Sequence, residues 1–311
     1  MMKRCSELYL DMLMILVMLG TPIAMFLSVM LKIYNRLFGS KSVKSIAGEI
    51  AVVTGGARGL GKLISIELAK QGCHIVIADI DLKQAEETAN YLSDSYKVNA
   101  KAYKVDVSNY EEVVELNKNI IHDLGKATIL VNNAGIMLFT DPSNPDWKEV
   151  QRMINVNLTA NIWTNRVFLE NMKEVGKGHI VAISSVAGIT PFPFHPEYTS
   201  TKYAIRGLMQ VLRIDLKMEE KFRNIKTTSV FPTFLNTNAN ILEMLKSSTF
   251  SKIAVAHDGE KVAKRIIQGI LQNEEEISVP EIKLAFSKCT DLWPVEIFDR
   301  IVKRILLKEE K

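Results

Sequence analysis

Between Glu49 and Gln71 the chain passes from an apolar strand pattern through spaced glycines into a helical pattern, an order that few folds accommodate. Glu49-Ile-Ala-Val-Val-Thr54 is a short, β-branched run of the buried-strand kind, and Leu60 to Gln71 carries apolar residues at helical intervals. Between them lies Gly55-Gly-Ala-Arg58-Gly59-Leu60-Gly61. Gly55 permits a tight turn, Gly59 lets backbone amides approach an anion, and Gly61 lets the helix lie close against the strand. A helix N-terminus is a positive pole with unpaired N–H groups, so this arrangement can cradle a pyrophosphate. A connection that needs its glycines for shape alone would have the same sequence, so the rest of the chain must decide.

The next strand pattern, His74-Ile-Val-Ile-Ala-Asp79, ends in an acid about 20 residues beyond the glycines, where a carboxylate can accept from an adenosine ribose hydroxyl. Asp79 would repel a 2′-phosphate and so favours NAD. Arg58 can partly offset that repulsion, which keeps NADP as the lesser alternative. Asp81 is expected to cap the following helix. Strand and helix patterns alternate onward through Lys101–Val105, Asn109–Leu124, Thr128–Val131, Trp147–Met172, His179–Ser184, Lys226–Phe231, Gly259–Gln272 and Glu276–Val279. This predicts an α/β fold with one Rossmann-type, doubly wound parallel sheet.

Tyr198-Thr-Ser-Thr-Lys202 follows Ser185 by thirteen residues. Ala204, Ile205, Leu208, Val211, Leu212 and Leu216 recur at helical spacing, which predicts a helix from Glu197 to Met218. On that helix Tyr198 and Lys202 share one face, about 5–6 Å apart at Cβ. A phenol titrating near ~10 is a poor base at neutral pH unless a cation stabilises its phenolate, and Lys202 is the expected cation. Ser185 supplies a hydroxyl for the same centre.

The glycine turn, Asp79, Asn132-Asn133-Ala134-Gly135, Ser185 and the Tyr198/Lys202 pair, in this order, resemble the short-chain dehydrogenase/reductases from about Glu49 to Pro280. The resemblance implies hydride transfer at a nicotinamide cofactor, with Tyr198 as acid/base, Lys202 tuning it and bonding the ribose, and Ser185 holding the substrate oxygen. It makes Asn133, Ala134 and Gly135 supports of the central sheet beside the cofactor, and brings Asp106 towards the adenine. Asn157, rather than Asn155, corresponds to the helix asparagine that holds a water linking the lysine to solvent. Ser185 is preferred to Ser184 because the interval to Tyr198 matches. Phe231-Pro232-Thr-Phe-Leu-Asn-Thr237 resembles the loop covering the nicotinamide, with Thr237 near the carboxamide or phosphate, although Thr233 stands where glycine usually follows the proline.

With 311 residues, 47% of them hydrophobic and 24% charged, the chain can bury a sizeable core. Cys5, Cys73 and Cys289 are far apart, and neither they nor the five histidines show metal-ligand spacing, so reduced thiols and no metal are expected. The net charge of +4 is spread along the chain, which argues against nucleic acid as a partner.

Met12 to Leu31 carries no charge over twenty residues, the length that crosses a ~30 Å hydrocarbon layer. Lys3 and Arg4 precede it, and Lys32, Arg36, Lys41 and Lys44 follow, a bias that favours a cytosolic catalytic domain. Gly20 and Pro22 interrupt the stretch, so a hairpin dipping into one leaflet or a droplet monolayer is the alternative to a span. The expected organisation is a membrane anchor and basic linker over 1–45, a dehydrogenase domain over 46–280 and a helical extension over 281–311. In the extension, Phe298, Ile301, Val302 and Ile305 oppose Arg300, Lys303 and Arg304, as in a basic amphipathic helix that lies on a membrane or docks on protein.

With the anchor, the whole chain resembles the membrane and lipid-droplet branch containing epidermal retinol dehydrogenases and 17β-hydroxysteroid dehydrogenases. This implies a retinoid, steroid or fatty alcohol as substrate, at the endoplasmic reticulum or a lipid droplet, and a possible homo-oligomer. Phe192, Phe194, Met137, Leu138, Ile241, Leu242, Met244 and Leu245 are candidates for an apolar cleft, and His195 for its mouth. The alternatives are a membrane-surface protein with mainly an interaction role and an NADPH-dependent carbonyl reductase.

Overall fold

The structure, a computed structural model, describes residues 43–138, 146–237, 255–281 and 293–306, with scattered positions in 11–31 and at 243, 283, 284 and 287. It divides into two compact units, Met1–Val43 and Lys44–Lys311. In the first, the described residues between 11 and 31 are helical and exposed. Among the described residues no helix is long and apolar enough to cross a membrane, and most of Met12–Leu31 lies outside them. Cys5, Cys289, Ile241, Leu242, Met244 and Leu245 also lie outside them.

In the second unit, strand and helix alternate: β1 (Ile50–Thr54), α1 (Gly59–Lys70), β2 (His74–Asp79), α2 (Leu82–Tyr96), β3 (Ala100–Lys104), α3 (Tyr110–Asp123) and β4 (Ile129–Asn132). α4 (Trp147–Ile154) continues through a π-turn at Asn155–Thr159 into α5 (Ala160–Val175), and β5 (Gly178–Ile183), α6 (Pro196–Met218), β6 (Ile225–Pro232), α7 (Gly259–Leu271), β7 (Glu276–Val279) and α8 (Val295–Leu306) follow. All seven strands are parallel, in the order β3-β2-β1-β4-β5-β6-β7. The chain winds outward from β1 to β3 and then crosses to β4 on the other side of β1. That reversal opens a crevice at the carboxyl ends of β1 and β4.

The central strands read as unbroken apolar runs because both faces are covered. Side chains alternate: Ala51, Val53, Ile75 and Ile77 pack under α1, α2 and α7 with Ile64, Leu68, Leu92 and Ile266, while Val52, Val76 and Leu130 pack under α3, α5 and α6 with Phe168, Met172, Ile205 and Met209. Each large side chain buried this way contributes about 1.5–3 kcal/mol relative to exposure. Side-chain caps start four of the helices: Asp81 accepts from Gln84 N–H at 3.2 Å at the start of α2, Asn109 caps α3, Asp146 caps α4 and Asp258 caps α7. No side chain caps α1.

A polar relay ties the start of this unit to the amino ends of the strands. Thr228 donates to the Glu274 carbonyl at 2.6 Å, so its oxygen accepts from His179 Nε2 at 2.8 Å, and His179 Nδ1 is left to accept from the Lys44 amine at 2.7 Å. Burial, helped by Lys44 and Lys226, holds His179 well below the usual histidine range. Burial and then Lys226 bring Lys44 to about 8. Cys73, buried and donating to the Ile46 carbonyl, is pushed up to about 12 by desolvation.

Candidate active site

The glycine turn is shaped by contacts as much as by sequence. Gly55 and Gly59 have φ of +62° and +55°, and a Cβ on Gly55 would lie 2.9 Å from the Ala134 Cα. A Cβ on Gly61 would stand 2.2 Å from the Gly55 carbonyl oxygen, so glycine is what lets α1 meet the turn. A Cβ on Gly59 would meet only Thr237 Oγ1, at 3.9 Å. The first-turn amides of α1 have no side-chain cap, and the space beside Gly59 is bounded by Thr237, which is the arrangement a pyrophosphate would need. Arg58 is exposed at the N-cap, and Leu60 packs on the core.

Asp79, at the end of β2, accepts from Ala57 N–H at 3.0 Å and Asp81 N–H at 3.1 Å, so it holds the glycine turn and retains lone pairs for a further donor. Asp106, just past β3, binds the Ser108 N–H and hydroxyl at 2.9 and 2.7 Å, while its own N–H donates to Glu112. Asn133 donates from Nδ2 to the carbonyls of Thr54 and Gly55, both at 3.0 Å, and so clamps β4 to the glycine turn. Thr54 Oγ1 accepts from the N–H groups of Asn133 and Ala134. A Cβ on Gly135 would lie 3.4 Å from Asn157 Oδ1 and 3.5 Å from Lys202 Nζ, so this glycine sits between those two groups.

Asn157 is fully buried in the π-turn, where its amide exchanges two bonds with the backbone of Ile136 at 2.8 and 2.9 Å and donates to Thr201 Oγ1 at 3.2 Å. Asn155 instead accepts from Gln151 in an exposed pair. Ser184 is turned away, donating to the Lys202 carbonyl at 2.8 Å. Ser185 caps a short 3₁₀ turn through Ala187 N–H, donates to the Pro232 carbonyl at 3.5 Å and stands close enough to Tyr198 to favour its phenolate.

Lys202 is 5% exposed, donates to the Ile183 carbonyl at 3.1 Å and lies 5.6 Å from the centre of the Tyr198 ring. Burial lowers its pKa to about 8. The Tyr198 phenol is raised by burial, against which Ser185 works. Desolvation therefore outweighs the help from Ser185, and the Lys202 assistance expected from the sequence is not among the causes of the shift. Asn157, Ser185, Tyr198, Lys202 and Gly135 thus share one neighbourhood at the crevice, with Pro232 at its edge. Thr237 belongs with the glycine turn instead. Thr233 anchors the loop through its N–H to the Val279 carbonyl at 3.1 Å.

Sequence reasoning passed over Thr54 and Thr201. Each stands inside a recognised motif, and what marks them is a hydroxyl at the centre of several backbone and amide bonds. It also passed over Phe234, which meets Phe192 edge-on at 5.7 Å, while Phe192 stacks on His195 at 5.1 Å. Burial lowers the His195 pKa, so that ring is neutral at pH 7. Among the described residues no group of histidine, cysteine and acidic side chains could hold a metal ion.

The profile of the family described as short chain dehydrogenase matches residues 49–245. Estradiol 17-beta-dehydrogenase 11 of Macaca fascicularis is 32% identical over 276 residues, covering 88% of this chain and 88% of that protein. 17-beta-hydroxysteroid dehydrogenase 13 of Homo sapiens is 32% identical over 280 residues, covering 90% and 89%. A crystal structure of a short chain dehydrogenase/reductase from Burkholderia phymatum in complex with NAD shares the fold, with a TM-score of 0.71 at 22% identity over 79% of this chain and 93% of that one.

Proposed function

This chain belongs to the short chain dehydrogenase family and is an alcohol oxidoreductase with a nicotinamide cofactor, and from that premise we propose that it interconverts an apolar alcohol and its carbonyl using NAD at a membrane surface. The observation that carries the reading is the meeting of the buried Lys202 amine, the Tyr198 phenol and the Ser185 hydroxyl beside Gly135, at the carboxyl edge of β4 and β5.

The cofactor, when bound, supplies a hydride acceptor at the nicotinamide ring. The first-turn amides of α1 would hold its phosphates, with Gly59 giving access and Thr237 closing the side. Asp79 would receive the adenosine ribose and Asp106 would flank the adenine. Tyr198 removes the alcohol proton as phenolate, which requires its raised pKa to come down, and Lys202 supplies the nearby positive charge. Ser185 donates to the substrate oxygen as charge gathers there, and a positioned acid/base of this kind is typically worth 10²–10⁴-fold. Asn157 fixes the π-turn and keeps a polar route from Lys202 towards solvent.

Asp79 supports NAD over NADP, and exposed Arg58 is the feature that favours NADP. A steroid alcohol as substrate is supported by the relatives named as estradiol and hydroxysteroid dehydrogenases, and a retinoid or fatty alcohol shares the same apolar character. The uncharged Met12–Leu31 stretch with its basic flank supports attachment through residues 1–45, with the catalytic domain over 46–280 in the cytosol at the endoplasmic reticulum or a lipid droplet, and a helical extension over 281–311. The experiment is a screen of lipid alcohols with membranes bearing the wild type or Tyr198→Phe, read as NADH formation. Activity on at least one such alcohol, lost in Tyr198→Phe, is the expected result, and no turnover of any would overturn the reading.

A further inference from the structure

The rim of the crevice holds large apolar side chains in the open. Trp147 is 71% exposed, Val255 70% and Phe194 55%. Each stands on a different connection leaving the carboxyl end of the sheet: Trp147 opens α4 after β4, Phe194 precedes α6 after β5, and Val255 precedes α7 after β6. These connections touch one another. Phe192, two residues before Phe194, meets Phe234 edge-on, and the Phe234 carbonyl accepts at 2.8 Å from the N–H of His257, two residues after Val255. α4 packs along α6. Phe194 therefore stands within two residues of a half-buried floor made by Phe192, Phe234 and His195, Val255 stands two residues from the His257 bonded to that floor, and Trp147 opens the helix on the neighbouring connection from the same edge of the sheet.

A single exposed apolar residue needs no explanation, but several around one opening do. Phe194 adds a second observation, since it holds φ of +66°, a left-handed conformation that a phenylalanine rarely adopts, and still leaves its ring outside. Trp147 adds a third. The Lys148 ammonium lies 5.6 Å from its ring, so an amphipathic ring and a cation stand together, as suits an apolar layer bordered by phosphates. The adjacent Glu149 is already paired with Arg152. A second protein seated on this rim would plug the crevice, whereas a lipid layer is where an apolar alcohol resides.

We propose that the rim formed by Trp147, Phe194 and Val255 is a phospholipid-contact surface through which the apolar alcohol passes from the lipid layer into the crevice without crossing water. This rests on the reading of the substrate as a lipid alcohol. The test uses the full chain with Trp163→Phe and Trp293→Phe, which leaves Trp147 as the one tryptophan, in phosphatidylcholine–phosphatidylserine vesicles with brominated acyl chains. Quenching of Trp147 by the brominated chains and shielding from aqueous iodide are expected. In a second arm, the double variant Trp147→Gln, Val255→Asn raises KM for a long-chain alcohol dissolved in the vesicles by roughly 5-fold with kcat unchanged, and leaves KM for a short water-soluble alcohol unaltered. Free iodide access without bromine quenching would overturn the proposal, as would an unchanged KM for the long-chain alcohol. Should the wild type turn over neither alcohol, the functional reading falls, while the quenching still decides the lipid contact.

Discussion

Replacing Lys202 by methionine separates what the buried amine does for catalysis from what it costs the fold. The amine is 5% exposed, has one hydrogen bond to the Ile183 carbonyl, and titrates at about 8 instead of 10.5 because burial disfavours its charge. That difference corresponds to roughly 3 kcal/mol of destabilisation at pH 7, where both folded and unfolded chains are protonated. Methionine is of similar length and uncharged, and it forfeits a hydrogen bond worth ~1 kcal/mol. The nucleotide-free Lys202→Met protein should therefore be more stable than wild type at pH 7 by about 2 kcal/mol, which raises Tm by roughly 5 °C. Between pH 8 and 10.5 the unfolded wild-type chain binds more protons than the folded one, so wild-type stability climbs with pH and the gap closes. Lys44, also held at about 8, climbs in both proteins and cancels from the difference. Melting curves of the two full-length proteins across this range are the assay. A variant less stable than wild type at pH 7, or a gap that ignores pH, would refute the reasoning.

Gly61→Ala places a methyl 2.2 Å from the Gly55 carbonyl oxygen, and it should cost roughly 3 kcal/mol or more in denaturant melts and abolish NADH binding followed by fluorescence. Asp79→Ala removes the acceptor for two N–H groups of the glycine turn, so calorimetric titration should show NADH binding weakened by about 10-fold or more and a narrower gap to NADPH. His179→Phe breaks the relay between Lys44 and Thr228 at the amino ends of the strands, and it should destabilise by about 2–3 kcal/mol in the same melts while leaving kcat of the folded enzyme unchanged.

The sheet was legible because buried parallel strands are written as unbroken apolar runs between helical patterns, and the glycine turn because a positive φ and a carbonyl 2.2 Å from a hypothetical Cβ leave little choice of residue. Tyr198 and Lys202 were legible through helical spacing, and Asp81 as a cap through its place before α2. The π-turn at Asn155–Thr159 was not, because an apolar pattern continues across it while only the backbone register shifts. The Lys44–His179–Thr228 relay joins residues 135 and 49 positions apart, and such a pairing leaves no local signature. Nor does sequence reveal the balance of charge and burial at Tyr198, since a motif shows the cation but not how dry its surroundings are.

The most direct measurement is NADH formation from a vesicle-dissolved lipid alcohol by full-length wild type and Tyr198→Phe, with NADH binding measured on the same preparations. The wild type should turn the alcohol over, and Tyr198→Phe should bind NADH with near-normal affinity yet lose activity by roughly 10²-fold or more. Equal turnover by the two proteins would contradict the assignment of proton transfer to Tyr198, and with it the chemistry assigned to this crevice.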